Sequence, residues 1–485
     1  MAISEETFFL DPAFEGTLQK QIQTMVAEGI LSGRFRSGEK LPSSRGLARH
    51  LRISRITVTL AYTELLADDY IVSRGRSGYF VSDNAPQPRM ADAVATVADK
   101  VDWDSIVGTR FSQLRQIEKP VNWRSYRYPF IYGQTDPALF DHANWRLCAL
   151  QALGQRDFHA MTKDYHERDD PKLVEFIARH SLPRRGILAA PEQILVTLGA
   201  QNALWIAAEV LLSRDRKAVI ESPCYPGLSS VLRETGCDLT AIPVDTEGLP
   251  PEAVPKSADV VFTTPSHHCP TTVTMPIGRR RALLDRAAED DFIVVEDDYE
   301  FEMSFLTPPS PALKSLDRDG RVIHIGSFSK SLFPGLRLGY LVGPAAFIRE
   351  ARALRALLLR HPPGHVQRTA AYFMSLGHYD AMIKRLARAF GKRRKLMATA
   401  IAEAGLEVIG GGTGGSSFWL GATEGADTAE LARRLAEKSV LIEPGAVFFP
   451  EPDPPGRFFR LAFSSIPDDR IAEGIGIIAD TIREG

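Results

Sequence analysis

The sequence predicts a large α/β domain built on a mainly parallel sheet, preceded by a small α+β domain. Three observations carry this. From residue 126 onward, short apolar, β-branched runs alternate with helical patterns, as strands buried on both faces of a parallel sheet do. Before residue 84, capped helical patterns lead into one short alternating run. Between them, Asn84-Ala-Pro-Gln-Pro-Arg opens a stretch that reads as linker, with short helices expected near 94–100 and 111–116. The expected division is therefore 1–83, a linker at 84–125, and 126–485. A chain of 485 residues has room for it, at ~150 residues per domain with one domain large.

Composition narrows the class. Hydrophobic residues make up 44% and charged residues 24%, which is ordinary for a folded soluble chain and excludes a disordered or collagen-like one. No apolar run reaches the ~18 residues of a spanning helix, and Met1 to Leu10 carry Glu5 and Glu6 with no basic leader. Cys148, Cys224, Cys237 and Cys269 are widely spaced, so reduced thiols are expected and neither a disulfide frame nor a metal site. A cytoplasmic protein without a membrane partner is the expectation. Net charge is only −2, yet between Leu31 and Leu60 seven basic residues face one acid, Glu39. One local basic cluster in a near-neutral chain fits a nucleic-acid-binding module or a solvated patch.

In the small domain, residues 17–30 form an amphipathic helical pattern. Ser43 or Ser44 can cap a helix that ends at Leu51 and turns Leu47, Ala48 and Leu51 inward. After a two-residue break, Ser54 can cap a second helix over 55–67, with Val58, Ala61, Tyr62 and Leu65 on one face. Two helices joined by so short a turn form a helix-turn-helix whose second member fits the major groove. Arg55 then stands ready for a base edge or phosphate, with Thr57 and Thr59 on the same helix. Ser44 and Arg45 begin the preceding helix, where a phosphate contact is expected. Tyr70-Ile-Val-Ser and Gly78-Tyr-Phe-Val alternate on either side of 74–78, predicting a hairpin with Arg74 and Arg76 at its tip. Leu41-Pro-Ser-Ser-Arg, Leu47-Ala, Ser54-Arg55-x-Thr57-Val58, Ala61-Tyr62-x-x-Leu65 and Gly78-Tyr-Phe-Val together resemble the winged helix of GntR-type bacterial repressors. Arg52 and Asp69 stand where that family usually has glycine.

In the large domain, strands are expected at 193–197, 217–221, 260–264, 292–296 and 322–326. The last runs into Gly326-Ser-Phe-Ser-Lys-Ser-Leu-Phe-Pro-Gly-Leu-Arg337. Hydroxyls and a guanidinium at a strand exit suit a phosphate dianion, and a lysine among them suits a Schiff base with an aldehyde. A phosphate and an aldehyde on one molecule point to pyridoxal 5'-phosphate. Phe292-Ile-Val-Val-Glu-Asp-Asp-Tyr is a strand ending in carboxylates, where α/β folds bind ligands. Asp297 there can pair with a ring nitrogen, and Tyr299 with a ring hydroxyl.

These segments resemble fold-type I aminotransferases. The resemblance implies that Lys330 is the Schiff-base lysine, Asp297 the partner of the pyridine nitrogen, and Tyr299 the ligand of the ring oxygen. It implies Ser327, Ser329 and Arg337 as phosphate ligands, with Ala200 and Gln201 at a helix start beside the phosphate. It also implies Tyr225 as the ring that stacks on the cofactor and Arg460 as the arginine that holds an acidic group of the effector. Cys269-Pro-Thr-Thr replaces the usual Asn-Pro-Thr-Gly, so the polarising asparagine is missing and His267 or His268 is expected to substitute. The loop Tyr165-His-Glu-Arg-Asp-Asp-Pro is altered as well.

A GntR-like winged helix followed by such a domain resembles the MocR subfamily of regulators, whose Thr264-Pro-Ser-His motif is also present. The resemblance implies a homodimer that binds double-stranded operator DNA. Its aminotransferase-like domain would sense a small amino compound rather than turn it over. An amine effector would displace Lys330 from the cofactor, and a catabolic or uptake operon would respond. The motif looks nearest to members that respond to taurine-like or ectoine-derived compounds. The alternatives are a working aminotransferase and a sensor of the cofactor itself.

Overall fold

A computed structural model describes residues 2–86, 101–108, 111–164, 166–304, 310–411 and 414–484. The chain divides into two compact units, Met1–Arg110 and Phe111–Gly485.

The first unit is built as its caps dictate. Thr17 accepts from the Lys20 amide and opens α1 (Leu18–Leu31). Ser43 accepts from Gly46 and opens α2 (Ser44–Leu51). Ser54 accepts from Ile56 and opens α3 (Arg55–Ala67). Each cap satisfies an amide the first turn leaves bare. The turn between α2 and α3 passes through Arg52 at φ 56°, ψ 42°, a left-handed conformation that costs a side-chain-bearing residue ~1–2 kcal/mol. Leu47, Val58, Ala61, Tyr62 and Leu65 close over Ile22 and Val26, all buried. The Tyr62 hydroxyl donates to the Pro42 carbonyl, which satisfies the one polar atom that this ring carries inward. Strands β1 (Ile71–Ser73) and β2 (Tyr79–Val81) pair antiparallel, Ile71 opposite Val81, to form the wing.

In the second unit, β3 (Tyr128–Pro129) precedes β4 (Ile194–Thr197), β5 (Lys217–Ser222), β6 (Asp238–Pro243), β7 (Val260–Thr263), β8 (Ile293–Asp298), β9 (Val322–Ser327) and β10 (Gly339–Val342). β4 to β10 form one sheet in the order β4-β10-β9-β8-β7-β5-β6. Only β10 runs against its neighbours, β4 and β9; the other pairings are parallel. Helices such as Ala200–Leu211 and Pro226–Glu234 return the chain between strands and bury the sheet, which is why its strands read as unbroken apolar runs. Gly326 on β9 is required by packing, since a Cβ there would fall inside the Tyr340 ring of β10. A second sheet holds β11 (Glu407–Val408), β12 (Ser417–Gly421), β14 (Glu443–Pro444) and β15 (Phe458–Ala462), while β13 (Val440–Leu441) pairs with β3. Its register sets Glu443 and Trp419 opposite Arg460.

The linker reading needs a correction. The expected helix near 94–100 lies outside the described residues. At 111–116 there is only a 3-10 turn, Phe111–Gln113. Residues 111–125 belong with the large unit, because Arg115 donates to the Glu451 and Pro452 carbonyls and Trp123 is buried beside Ile131 and Leu441.

Candidate functional site

The carboxyl ends of β8 and β9 open into a cavity of about 300 Å³. Crevices at strand ends are where α/β sheets leave room for ligands, because the connecting loops diverge there. Asp297 comes from the end of β8, Ser327 from the end of β9, and Ser329 and Lys330 from the turn that follows. Ala200, Gln201, Tyr225, Tyr299, Arg337 and Arg460 line the same cavity. Ten of the residues predicted from sequence thus converge from segments up to 260 positions apart, and His267 does not.

Burial sets the electrostatics. The Asp297 carboxyl is raised from 3.8 to about 8, first by burial and then by the charges of Asp298 and Glu221. Its Oδ1 is buried without a partner among the described residues. Burial lowers the Lys330 amine from 10.5 to about 8, against the opposing pull of Glu300. Its Nζ stands 4.0 Å from the centre of the Tyr132 ring. Gly133, at φ 69°, passes so close that a Cβ would collide with that amine.

At the other end, Gly199 at φ 82° leads into the helix Ala200–Leu211, which has no side-chain cap. Its first amides are therefore left for an anion. Ser329 Oγ is buried and unpartnered, Ser327 Oγ accepts from the Ser329 amide, and Arg337 donates to the Leu198 carbonyl beside them. Tyr225 donates to Gln201 Oε1 at 3.1 Å. Tyr299 donates to the His267 carbonyl at 3.0 Å. These residues fit pyridoxal phosphate on two counts. An unpartnered buried carboxylate oxygen matches a ring N–H, and a bare helix start with a spare hydroxyl matches a phosphate.

His267 is a correction. Its Nδ1 donates to the Glu300 carbonyl and its Nε2 lies 3.4 Å from Ser304 Oγ, so the ring is turned away from the cavity. Burial lowers its pKa, against the opposing charges of Glu300 and Asp298. Cys269 lines the cavity instead, with burial pushing its thiol up to about 11. Sequence reasoning also missed Glu443, Tyr132, Gln134, Ile117 and Lys119. Glu443 had one local signal, a lone carboxylate after the apolar run Val440-Leu-Ile. The others had none.

Glu443 changes how Arg460 is read. Arg460 Nε donates to Glu443 Oε2 at 2.7 Å, and its guanidinium lies 4.1 Å from the Tyr132 ring and 4.6 Å from the Phe448 ring. Burial pulls the guanidinium down, but the Glu443 charge more than restores it. The arginine is clamped on two faces and at Nε. Of its terminal nitrogens, Nη1 donates to Cys269 Sγ at 3.9 Å.

In the first unit, Arg45, Arg55 and Arg74 are exposed, while Ser44, Thr57 and Thr59 are half-buried. Arg55 Nε donates to Ser44 Oγ at 3.4 Å, and Thr59 donates to the Arg55 carbonyl within its own helix. Arg74 lies over the Phe80 ring at 4.8 Å. The Arg76 side chain lies outside the described residues, as does Tyr165. The exposed face of α3 also carries Ile56, 70% exposed, and Leu60, neither of them singled out from sequence.

Comparison with known proteins agrees with both units. The family Aminotransferase class I and II matches residues 135–478, and Bacterial regulatory proteins, gntR family, matches 18–81. The HTH-type transcriptional regulator TauR of Rhodobacter capsulatus is 55% identical over 484 residues, covering 100% of both chains. The probable rhizopine catabolism regulatory protein MocR of Rhizobium meliloti is 32% identical, covering 80% of this chain and 78% of that one. Among solved structures, kynurenine aminotransferase of Pyrococcus horikoshii superposes with a TM-score of 0.71 at 27% identity, covering 79% of this chain and 98% of that one. With a gntR-family DNA-binding unit ahead of a fold-type I aminotransferase unit, the chain belongs to the MocR-type transcription regulators of the gntR family.

Proposed function

We propose that this regulator holds pyridoxal 5'-phosphate in the large unit and uses it to sense a taurine-like amino acid, changing its grip on operator DNA. The observation that carries the reading is the buried, unpartnered Oδ1 of Asp297 in the cavity that also holds Lys330. When bound, the cofactor supplies an aldehyde that condenses with primary amines.

The chain's own residues do the rest. Asp297 takes the ring N–H, a donor that lets its carboxylate ionise despite burial. Ser327, Ser329, Arg337 and the amides of Ala200 and Gln201 hold the phosphate, and Tyr225 stacks on the ring. Lys330, lowered to about 8 by burial, keeps a neutral fraction near pH 7 and would be the amine that holds the cofactor's aldehyde. Arg460 presents its terminal nitrogens to the effector's acidic group. The 55% identity to TauR along the whole chain favours a taurine-like effector over an ectoine-derived one.

In the small unit, α3 enters the major groove and Arg45, Arg55, Arg74 and Arg76 meet the phosphates and base edges. The reading includes a homodimer, so that two winged helices meet two half-sites, and a cytoplasmic location beside the DNA. Among the described residues, no helix is long and apolar enough to cross a membrane.

The test follows the visible absorption of the cofactor-loaded protein during titration with taurine, in wild type and Lys330→Ala, beside a band-shift assay on the DNA upstream of its own gene. A taurine-dependent spectral change that alters DNA affinity and is lost in Lys330→Ala is expected. A colourless protein after soaking in cofactor overturns the reading. Repeated turnover with amino and keto donors would make it a working aminotransferase. Apo and holo proteins that differ on DNA with no amine present would make the cofactor itself the signal.

A further inference from the structure

Arg460 alone is a poor trap for an acid. Its charge is matched by Glu443, which also lines the cavity and accepts from both Arg460 Nε and the Tyr132 amide. The pair is neutral overall, so an incoming sulfonate or carboxylate meets the field of Glu443 together with that of Arg460. Arg337 is committed to the phosphate end, beside Leu198 and Ser329. An acidic effector therefore needs a further cation.

Among the described residues that line the cavity, and with Lys330 set aside for the cofactor, the cation left is Lys119, and it arrives on an unexpected segment. Residues 111–119 belong to the stretch that reads as linker. Arg115 anchors the segment on the Glu451 and Pro452 carbonyls. Downstream it is pinned by Trp123, buried against Ile131 and Leu441, and Ile131 directly precedes Tyr132 in the cavity wall. Between these points Ile117 packs on the Cys269, Trp419 and Phe448 cluster beside Tyr225 and Tyr299. Ile117 is only half-buried, and Lys119 is exposed, with its Nζ 5.9 Å over the Trp123 ring. The segment is thus held by a few contacts and carries one long cationic side chain at the cavity, a combination that a bound anion can reorder cheaply.

We propose that Lys119 is a second binding residue for the effector's acidic group, and that its engagement draws the 111–119 segment onto the cavity. This rests on the function proposed above. The two ends of one small molecule then have separate tasks: the amine would go to the cofactor's aldehyde, at the Lys330 end of the cavity, and the acid to Arg460 and Lys119. A plain amine fills the first task without the second.

The experiment uses the full-length, cofactor-loaded chain and a panel of taurine, β-alanine and 4-aminobutyrate against propylamine, which lacks the acid. Half-saturation is read from the visible absorption, and closure from the rate of proteinase K cleavage between residues 100 and 124. Wild type is expected to prefer the acid-bearing amines and to be protected by them. Lys119→Met is expected to raise their half-saturating concentrations about tenfold, the loss of one charged contact, and to abolish protection. The propylamine titration stays where it was, and Lys119→Arg restores most of the preference. The proposal is overturned if Lys119→Met keeps the wild-type preference and protection, or if wild type shows no preference for acids. A chain that captures no cofactor fails at the first absorption reading and overturns the underlying function instead, taking this proposal with it.

Discussion

Asp297 is the residue whose environment is least comfortable without a partner. The folded chain holds its carboxyl at about 8 against 3.8 ordinarily, so between those values the folded state binds more protons than the unfolded state. The stability this contributes is full below the unfolded value and is lost as pH rises through about 8. Cofactor-free protein is therefore expected to lose stability between pH 6 and 8.5. Asp297→Asn, which cannot ionise, should remove that part of the slope; denaturant melts at the two pH values check this. A ring N–H opposite Oδ1 should flatten the slope in the loaded wild type, for it supplies the proton that the carboxylate otherwise has to take from water. Asp297 and Lys330 were legible in sequence because one stands at the end of a strand and the other in the turn just past one, each in a motif of contiguous residues. Glu443 and Tyr132 were not, for they reach the cavity only through the register of β14 against β15 and the approach of the chain before Gly133.

Among the elements, the helix-turn-helix was the most readable. Its helices begin one residue after Thr17, Ser43 and Ser54, since capping is decided within four residues. The two residues standing in place of family glycines, Arg52 and Asp69, both take positive φ, at 56° and 57°. The backbone keeps the glycine conformation and bears its strain. Arg52→Gly is accordingly expected to stabilise the small unit by about 1 kcal/mol, the steric cost relieved less the added freedom of the unfolded chain, and a thermal melt reads it. The strands of the large sheet were also legible as apolar runs. The 111–125 segment misled because its composition is that of a linker, while its attachment rests on Arg115 and Trp123, whose partners lie more than 300 positions away at 451, 452 and 441 or close by at 131.

For the molecule as a whole, two units with separate cores imply that a ligand of one acts first on that one. Pyridoxal phosphate at ~100 times its dissociation constant should stabilise the large unit by about 2.7 kcal/mol, by mass action on the folded state alone. Calorimetry is expected to show that shift in the Phe111–Gly485 transition, and its absence would mean that the cofactor does not bind the native cavity. The sequence by itself determined the two-part architecture, the helix caps, the strands and the motif residues Lys330, Asp297 and Arg337, because periodicity, capping and strand-exit chemistry are local. Only the tertiary structure decided that Cys269 and not His267 faces the cavity, that Glu443 neutralises Arg460, and that Ile117 and Lys119 reach the wall. Those outcomes depend on which distant segments share one buried volume, and close packing sets that.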